Sequence, residues 1–397
     1  MFIEQGIKPE NKFWKYIVGS LVVILISSFG QIPLMIGIFA KSFSDGKGMP
    51  QLDEKSLMTY LEPNLTLFLI MLSFVFAMFG IYIVVKNIHK QTMLSVTTSR
   101  AKVDWSRILF SFTIWSLFTI ISTAILYYTS PESFVMNFKL VPFLILVIIG
   151  TLMIPIQTSC EEYVFRGYLM QGFAVGTFQK KFAIGILYSF FFVPIYFMFD
   201  SLKEVQLTSE IPLLSLITIR TFSLSILLLF LIDFILTKLN FFETNFYNTI
   251  YQKGKNKFVP LFITSSIFGL MHIANPEVTK MGYIVLVYYI GTGFFLGILT
   301  LMDEGMELSL GFHAANNLVG ALLVTADWSA FQTHSILKDI SEPSAGFDVI
   351  APVLIIYPIM LFIFAKKYNW TNWKEKLTGE IHPTNSNLIN EIQGTND

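Results

Sequence analysis

VPFLILVIIGTLMIPIQT, residues Val141 to Thr158, contains no charged side chain, and the chain continues directly as SCEEYVFRGYLMQG, residues 159 to 172. Eighteen uncharged, mostly apolar residues at about 1.5 Å each cover about 27 Å, close to the hydrocarbon thickness of a bilayer. This stretch predicts a membrane span, and the two glutamates and the arginine just beyond it are the first residues that call for an explanation. The whole chain has the same character. Of 397 residues, 54% are hydrophobic and 14% charged, against about 25% charged in soluble domains. A water-soluble core is excluded on that ground.

Other apolar runs predict further spans at Tyr16 to Phe39, Leu65 to Val85, Ile108 to Tyr128, Phe182 to Phe199, Ile211 to Leu236, Phe258 to Ala274, Tyr283 to Met302, Leu308 to Thr325 and Val349 to Ala365. The expectation is an all-α polytopic transmembrane helix bundle of about ten spans, within a range of eight to eleven. With the N-terminus inside, the inner segments hold 19 of the 27 Lys and Arg, the outer segments hold 7, and Arg220 falls within a span. The positive-inside rule then places both termini in the cytoplasm. The chain divides into three N-terminal spans (residues 1–140), a core (141–325) with an extra helical hairpin near 182–257, a final span (326–373) and a polar tail (374–397) expected to be disordered. The first run is too long for a signal peptide and is read as a retained span.

Formal net charge is zero, which gives no reason to expect a nucleic-acid partner. The chain lacks GxGxxG, GxxxxGK[ST] and HExxH, so dinucleotide binding, P-loop nucleotide chemistry and the zinc-protease helix each lack their motif. The single cysteine, Cys160, excludes an intrachain disulfide.

Ionisable groups inside spans cost roughly 2.5 to 3.5 kcal/mol each on insertion scales, so each needs a partner or a function. Glu162 and Arg166 are four residues apart and can pair on one helical face. Glu161 has no charge partner in its own helix, the state of a carboxylate that serves as a general base. Helix-terminal solvation at the interface explains the same residues without chemistry. His272, four residues after Phe268, reads equally as a cap on a helix C-terminus. His313 and Asn317 share one face of a helix rich in small residues, where they can polarise a carbonyl oxygen or act as interhelical polar contacts. Arg220 and Asp233 in one span raise a transporter reading, which the absence of a repeat between halves disfavours.

The three segments read EExxxR (Glu161, Glu162, Arg166), FxxxH (Phe268, His272) and HxxxN (His313, Asn317), in that order. This pattern resembles the CPBP family, which unites type II CAAX prenyl endopeptidases with bacteriocin-processing and abortive-infection proteins. The resemblance covers roughly Val141 to Val324. It implies an intramembrane endopeptidase in which Glu161 and His272 activate water, His313 and Asn317 stabilise the oxyanion, and Glu162, Arg166 and Phe268 support them. The substrate implied is a membrane-associated or lipidated peptide. It implies an integral protein of a bacterial plasma membrane, with no nucleotide partner. The residues permit zinc on Glu161, His272 and His313, but Asn317 beside His313 fits an oxyanion site better than a ligand shell, so no metal is expected. A non-catalytic immunity or scaffold protein on the same fold is the alternative.

Two departures stand out. About 100 residues separate EExxxR from FxxxH, where compact members have a short loop. In the ten-span reading Glu161 also lies just past the inner end of the fourth span, and His272 at the outer end of the seventh. They meet only if the helix carrying EEYVFRGYLMQGFAVGTF itself enters the membrane.

Overall fold

The computed structural model describes residues 1–46, 60–181, 183–187, 227–273, 275–343 and 346–383. Among these, six helices are long and apolar enough to cross a membrane: α1 (Phe13–Ser44, broken at Gly30), α2 (Pro63–Ile88), α3 (Trp105–Thr129), α4 (Leu140–Phe178), α6 (Val285–Asp303) and α8 (Val349–Tyr368). Two shorter helices, α5 (Phe258–Leu270) and α7 (Glu307–Leu323), pack among them. The expected spans at Phe182 to Phe199 and Ile211 to Leu236 fall largely outside the described residues, as do Arg220 and the tail beyond residue 383. The chain is a helical, integral, multi-pass membrane protein.

α6 is the central helix, with 56% of its most apolar stretch buried, whereas the value is 17% for α3 and α8. In α3, Leu109, Leu117, Ile121 and Ile125 point outward, as a lipid-facing surface requires. α7 packs along α3 and α4, α5 along α6, and α2 lies against both α1 and α4. Small residues set the closest approaches: a Cβ on Gly311 of α7 would stand 2.1 Å from the Ile108 carbonyl oxygen of α3, and one on Gly293 of α6 would stand 2.7 Å from the Ser265 oxygen of α5. Any larger side chain there would separate the helices.

The fourth helix corrects the expected boundary at Thr158. It runs on through a π-helical turn, Tyr163–Leu169, to Phe178. The break in hydropathy does not end it because its polar groups find partners inside protein. Arg166 pairs with Glu162 at 3.0 Å, and Gln171 Nε2 donates to the Phe2 and Ser95 carbonyls at 3.2 and 2.9 Å. Residues Met170 to Thr177 are all buried. Glu161 therefore sits about midway along a helix of 39 residues.

The two ends of the bundle are distinct. On one face, Phe2 N donates to Glu304 at 2.7 Å, Lys257 meets Glu375 at 3.0 Å, and Lys376 Nζ donates to the Met302 carbonyl at 2.8 Å. Arg100 bonds Asp303 and Glu307, each at 3.1 Å, and Arg107 also bonds Asp303. The expected disordered tail is therefore ordered as far as Pro383: Trp373–Thr378 is helical, and Glu380 bridges to Asn256. At the opposite face a small sheet, absent from the sequence reading, pairs β1 (Phe134–Met136) antiparallel and β2 (Val324–Ala326) parallel to a central β3 (Leu337–Asp339).

Candidate active site

α4 brings the two glutamates to the middle of the bundle on different sides of its axis. Glu162 is fully buried and accepts from Arg166 Nη1 at 3.0 Å, while Arg166 Nη2 donates to the Gly293 carbonyl at 3.2 Å and the guanidinium lies 4.3 Å from the Phe268 ring centre. His313 Nδ1 lies 2.8 Å from Glu162 Oε1. A carboxylate only accepts, so Nδ1 carries the proton and Nε2 is the nitrogen turned the other way. That nitrogen stands 3.5 Å from Glu161 Oε2. The Glu162–Arg166 pair thus fixes the imidazole that faces Glu161.

Glu161 is held from its other oxygen. Gln157, one turn earlier, donates from Nε2 to Oε1 at 2.5 Å. Oε2 is buried and has no hydrogen-bond partner. Gln157 Oε1 accepts from Asn317 Nδ2 at 3.1 Å, Asn317 Oδ1 accepts from Asn316 Nδ2 at 3.1 Å, and Asn316 Oδ1 accepts from Trp115 Nε1 at 3.1 Å. Each amide is oriented by the next, and the second N–H of Asn317 is left over for another acceptor.

α5 starts at the face that carries the termini, where Lys257 lies, and is only 13 residues long. Counting back from Phe178 to Glu161 gives about 26 Å, and counting from Phe258 to His272 about 21 Å, so both residues lie at comparable depth. Phe268 packs edge-on to Phe165 with ring centres 5.3 Å apart. His272 stacks on Tyr289 at 4.3 Å and donates from Nδ1 to the Phe268 carbonyl at 2.7 Å. In the neutral ring this leaves Nε2 with its lone pair. The apparent separation of Glu161 and His272 in the ten-span reading disappears because α4 is longer and α5 shorter than their hydropathy suggests.

Glu161, His272, His313, Asn317, Gln157 and Asn316 line one cavity of about 420 Å³. Phe268 also reaches its wall. A second hollow, about 540 Å³, is formed by residues 100–105 and holds none of the motif residues. Among the described residues no three His, Cys, Asp or Glu side chains converge closely enough to hold a metal ion. Gln157, Asn316 and Trp115 were not singled out from the sequence. Gln157 was accessible there, since it precedes Glu161 by the same four residues that separate Glu162 from Arg166; Trp115 carried no signal.

Residues 226–319 match the family model described as Type II CAAX prenyl endopeptidase Rce1-like. That stretch includes Phe268, His272, His313 and Asn317 and excludes EExxxR. The chain is also 24% identical over 329 residues to the uncharacterized protein YyaK of Bacillus subtilis (strain 168), covering 82% of each chain. No solved structure matches.

Proposed function

We propose that the chain is an intramembrane peptide hydrolase that uses Glu161 and His272 as bases and His313 and Asn317 as the oxyanion site. One observation carries the reading: a carboxylate oxygen that takes no hydrogen bond, an imidazole lone pair and a spare amide N–H come from three separate elements and line the same cavity. A water between Glu161 Oε2 and His272 Nε2, held by the imidazole, gives up a proton to Glu161 as its oxygen attacks the scissile carbonyl carbon. The carbonyl oxygen becomes an oxyanion that accepts from Asn317 Nδ2 and, with His313 as the cation that carries a proton on each ring nitrogen against Glu162, from its Nε2. Collapse of the tetrahedral intermediate breaks the C–N bond, and the proton passes to the leaving amine. Glu162 and Arg166 act through His313.

The family match to residues 226–319 supports a membrane protease-like class, and the apolar setting of the cavity supports a membrane-associated or lipidated peptide as substrate. The scheme uses no metal. The test is cleavage of a panel of prenylated and unprenylated fluorogenic peptides by purified protein, with and without chelator, compared with Glu161→Gln and His272→Ala. Cleavage by the wild type alone, insensitive to chelator, is expected. Full activity in either variant removes the assignment, and a biological effect that survives Glu161→Gln favours a binding protein on this fold.

A further inference from the structure

The cavity is not equally placed between the two faces of the bundle. Its wall includes Pro63 and Thr66 at the start of α2, Glu277, and the loop Ser329–Gln332 that follows β2. All of these belong to the face that carries the small sheet. There Ala330 N donates to Glu277 at 2.8 Å, and His334 bonds Glu62 at 2.8 Å. None of the segments that gather around the two ends of the chain, namely residues 1–6, 98–107, 254–258, 302–307 and 370–382, contributes to the wall.

Basic residues separate the same two faces. Among the described residues, the face with the termini carries three Lys at the start of α1, five Lys and Arg between the end of α2 and the start of α3, two Lys after α4, four between 238 and 257, and four at or beyond the end of α8, eighteen altogether. The opposite face carries Lys41, Lys139, Lys280 and Lys338. By the positive-inside rule the terminal face is cytoplasmic, and the face on which the cavity lies is the outer one.

The wall also has a definite charge. It contains two carboxylates, Glu161 and Glu277, two imidazoles, and no Lys or Arg. Arg166 lies behind it, fully buried and committed to Glu162 and the Gly293 carbonyl. A free carboxylate brought into such a low-dielectric site would lose its hydration with no cation to replace it. A neutral group carries no such charge penalty, and for a cationic group the loss of hydration is offset by the focused field of the two glutamates, which attracts it.

We infer that the cavity is entered from the outer face of the membrane and takes an uncharged or basic segment from within a peptide rather than a free carboxyl-terminal end. That the occupant is a substrate rests on the hydrolase reading; where the cavity opens and which charge it prefers do not.

The test uses the full chain in intact cells, where the single native cysteine, Cys160, is buried and sets the background. Gln332→Cys places a thiol on the cavity wall, and Lys374→Cys places one on the terminal face. A membrane-impermeant maleimide is expected to label Gln332→Cys before lysis and Lys374→Cys only after it; the reverse order overturns the inference. If Gln332→Cys fails to accumulate, Asp327→Cys, exposed in the same connection, reports the same side. At Gln332→Cys, a cationic thiosulfonate is expected to react at least fivefold faster than an anionic one, each rate normalised to a free thiol. The preference should fall by half or more in Glu277→Gln. Equal rates or an anionic preference refute the charge assignment. Neither readout needs turnover, so a chain that labels in this pattern but cleaves no peptide loses only the hydrolase reading.

Discussion

Gln157 and Glu161 stand one helical turn apart on α4, and the amide of the first donates to the carboxylate of the second at 2.5 Å while accepting from Asn317 at 3.1 Å. One side chain therefore couples the proposed base to the proposed oxyanion amide across two helices. Gln157→Leu keeps most of the volume and removes both bonds. A loss of roughly 10²-fold in kcat is expected from misplacement of the reacting groups, with a small change in KM and a thermal midpoint near that of the wild type. An unchanged kcat in a folded variant would show that the coupling is not used.

Glu162 and Arg166 form an ion pair in which both side chains are at most 1% exposed, and Glu162 also holds His313. Removing one partner leaves the other charge buried and alone, which costs about 3–5 kcal/mol. Arg166→Met should accordingly lower the thermal midpoint in detergent far more than the double variant Arg166→Met/Glu162→Gln, which removes both charges. If the two variants melt alike, the pair does not govern stability.

Much of this was legible in the sequence, and the reason is chemical. In an apolar chain each intramembrane charge is conspicuous, so Glu161, Glu162, Arg166, His272, His313 and Asn317 could be named from run length and spacing. What was not legible is where helices stop. Hydropathy reports contact with lipid or water, and the second half of α4 contacts neither: Met170 to Thr177 are buried in protein and tied to the N-terminal segment through Gln171. The same limit applied to residues 373–383, whose polar composition reads as tail although Ile381 is only 4% exposed and Lys257 binds Glu375. The β-sheet escaped because three-residue strands carry no periodicity to read.

Lys257 supplies a direct test of that docking. It is 1% exposed and reaches Glu375 at 3.0 Å and Glu4 at 3.5 Å, so one cation joins the beginning and end of the chain. Lys257→Met retains the length and removes the charge that Glu4 and Glu375 share. Limited proteolysis should then cut within residues 370–383 several-fold faster than in the wild type, while helices in the bilayer stay protected. Equal cutting rates would mean that Lys257 does not hold the segment and that its other ties, among them Lys376 to the Met302 carbonyl and the packing of Ile381, suffice.

His89, just beyond the end of α2, predicts a pH dependence for the terminal face. It is fully buried, with Nδ1 3.1 Å from Asn11 Oδ1 and Nε2 3.1 Å from the Tyr168 hydroxyl. Burial, reinforced by nearby Lys15, lowers its pKa from 6.5 to about 4. The sign follows from linkage. Between pH 6.5 and 4 the unfolded chain takes up a proton that the folded chain refuses, so stability is full above pH 6.5, declines through that interval and levels off below about 4. A shift of that size corresponds to roughly 3 kcal/mol at most. The measurement is a series of thermal melts of the detergent-solubilised protein between pH 7.5 and 4.5, set against His89→Gln, which retains a hydrogen-bonding group but does not titrate. The wild type should lose stability relative to the variant as pH falls. Parallel curves would show that His89 does not carry the effect, and a wild type that gains stability on acidification would require a charged imidazole in the folded state.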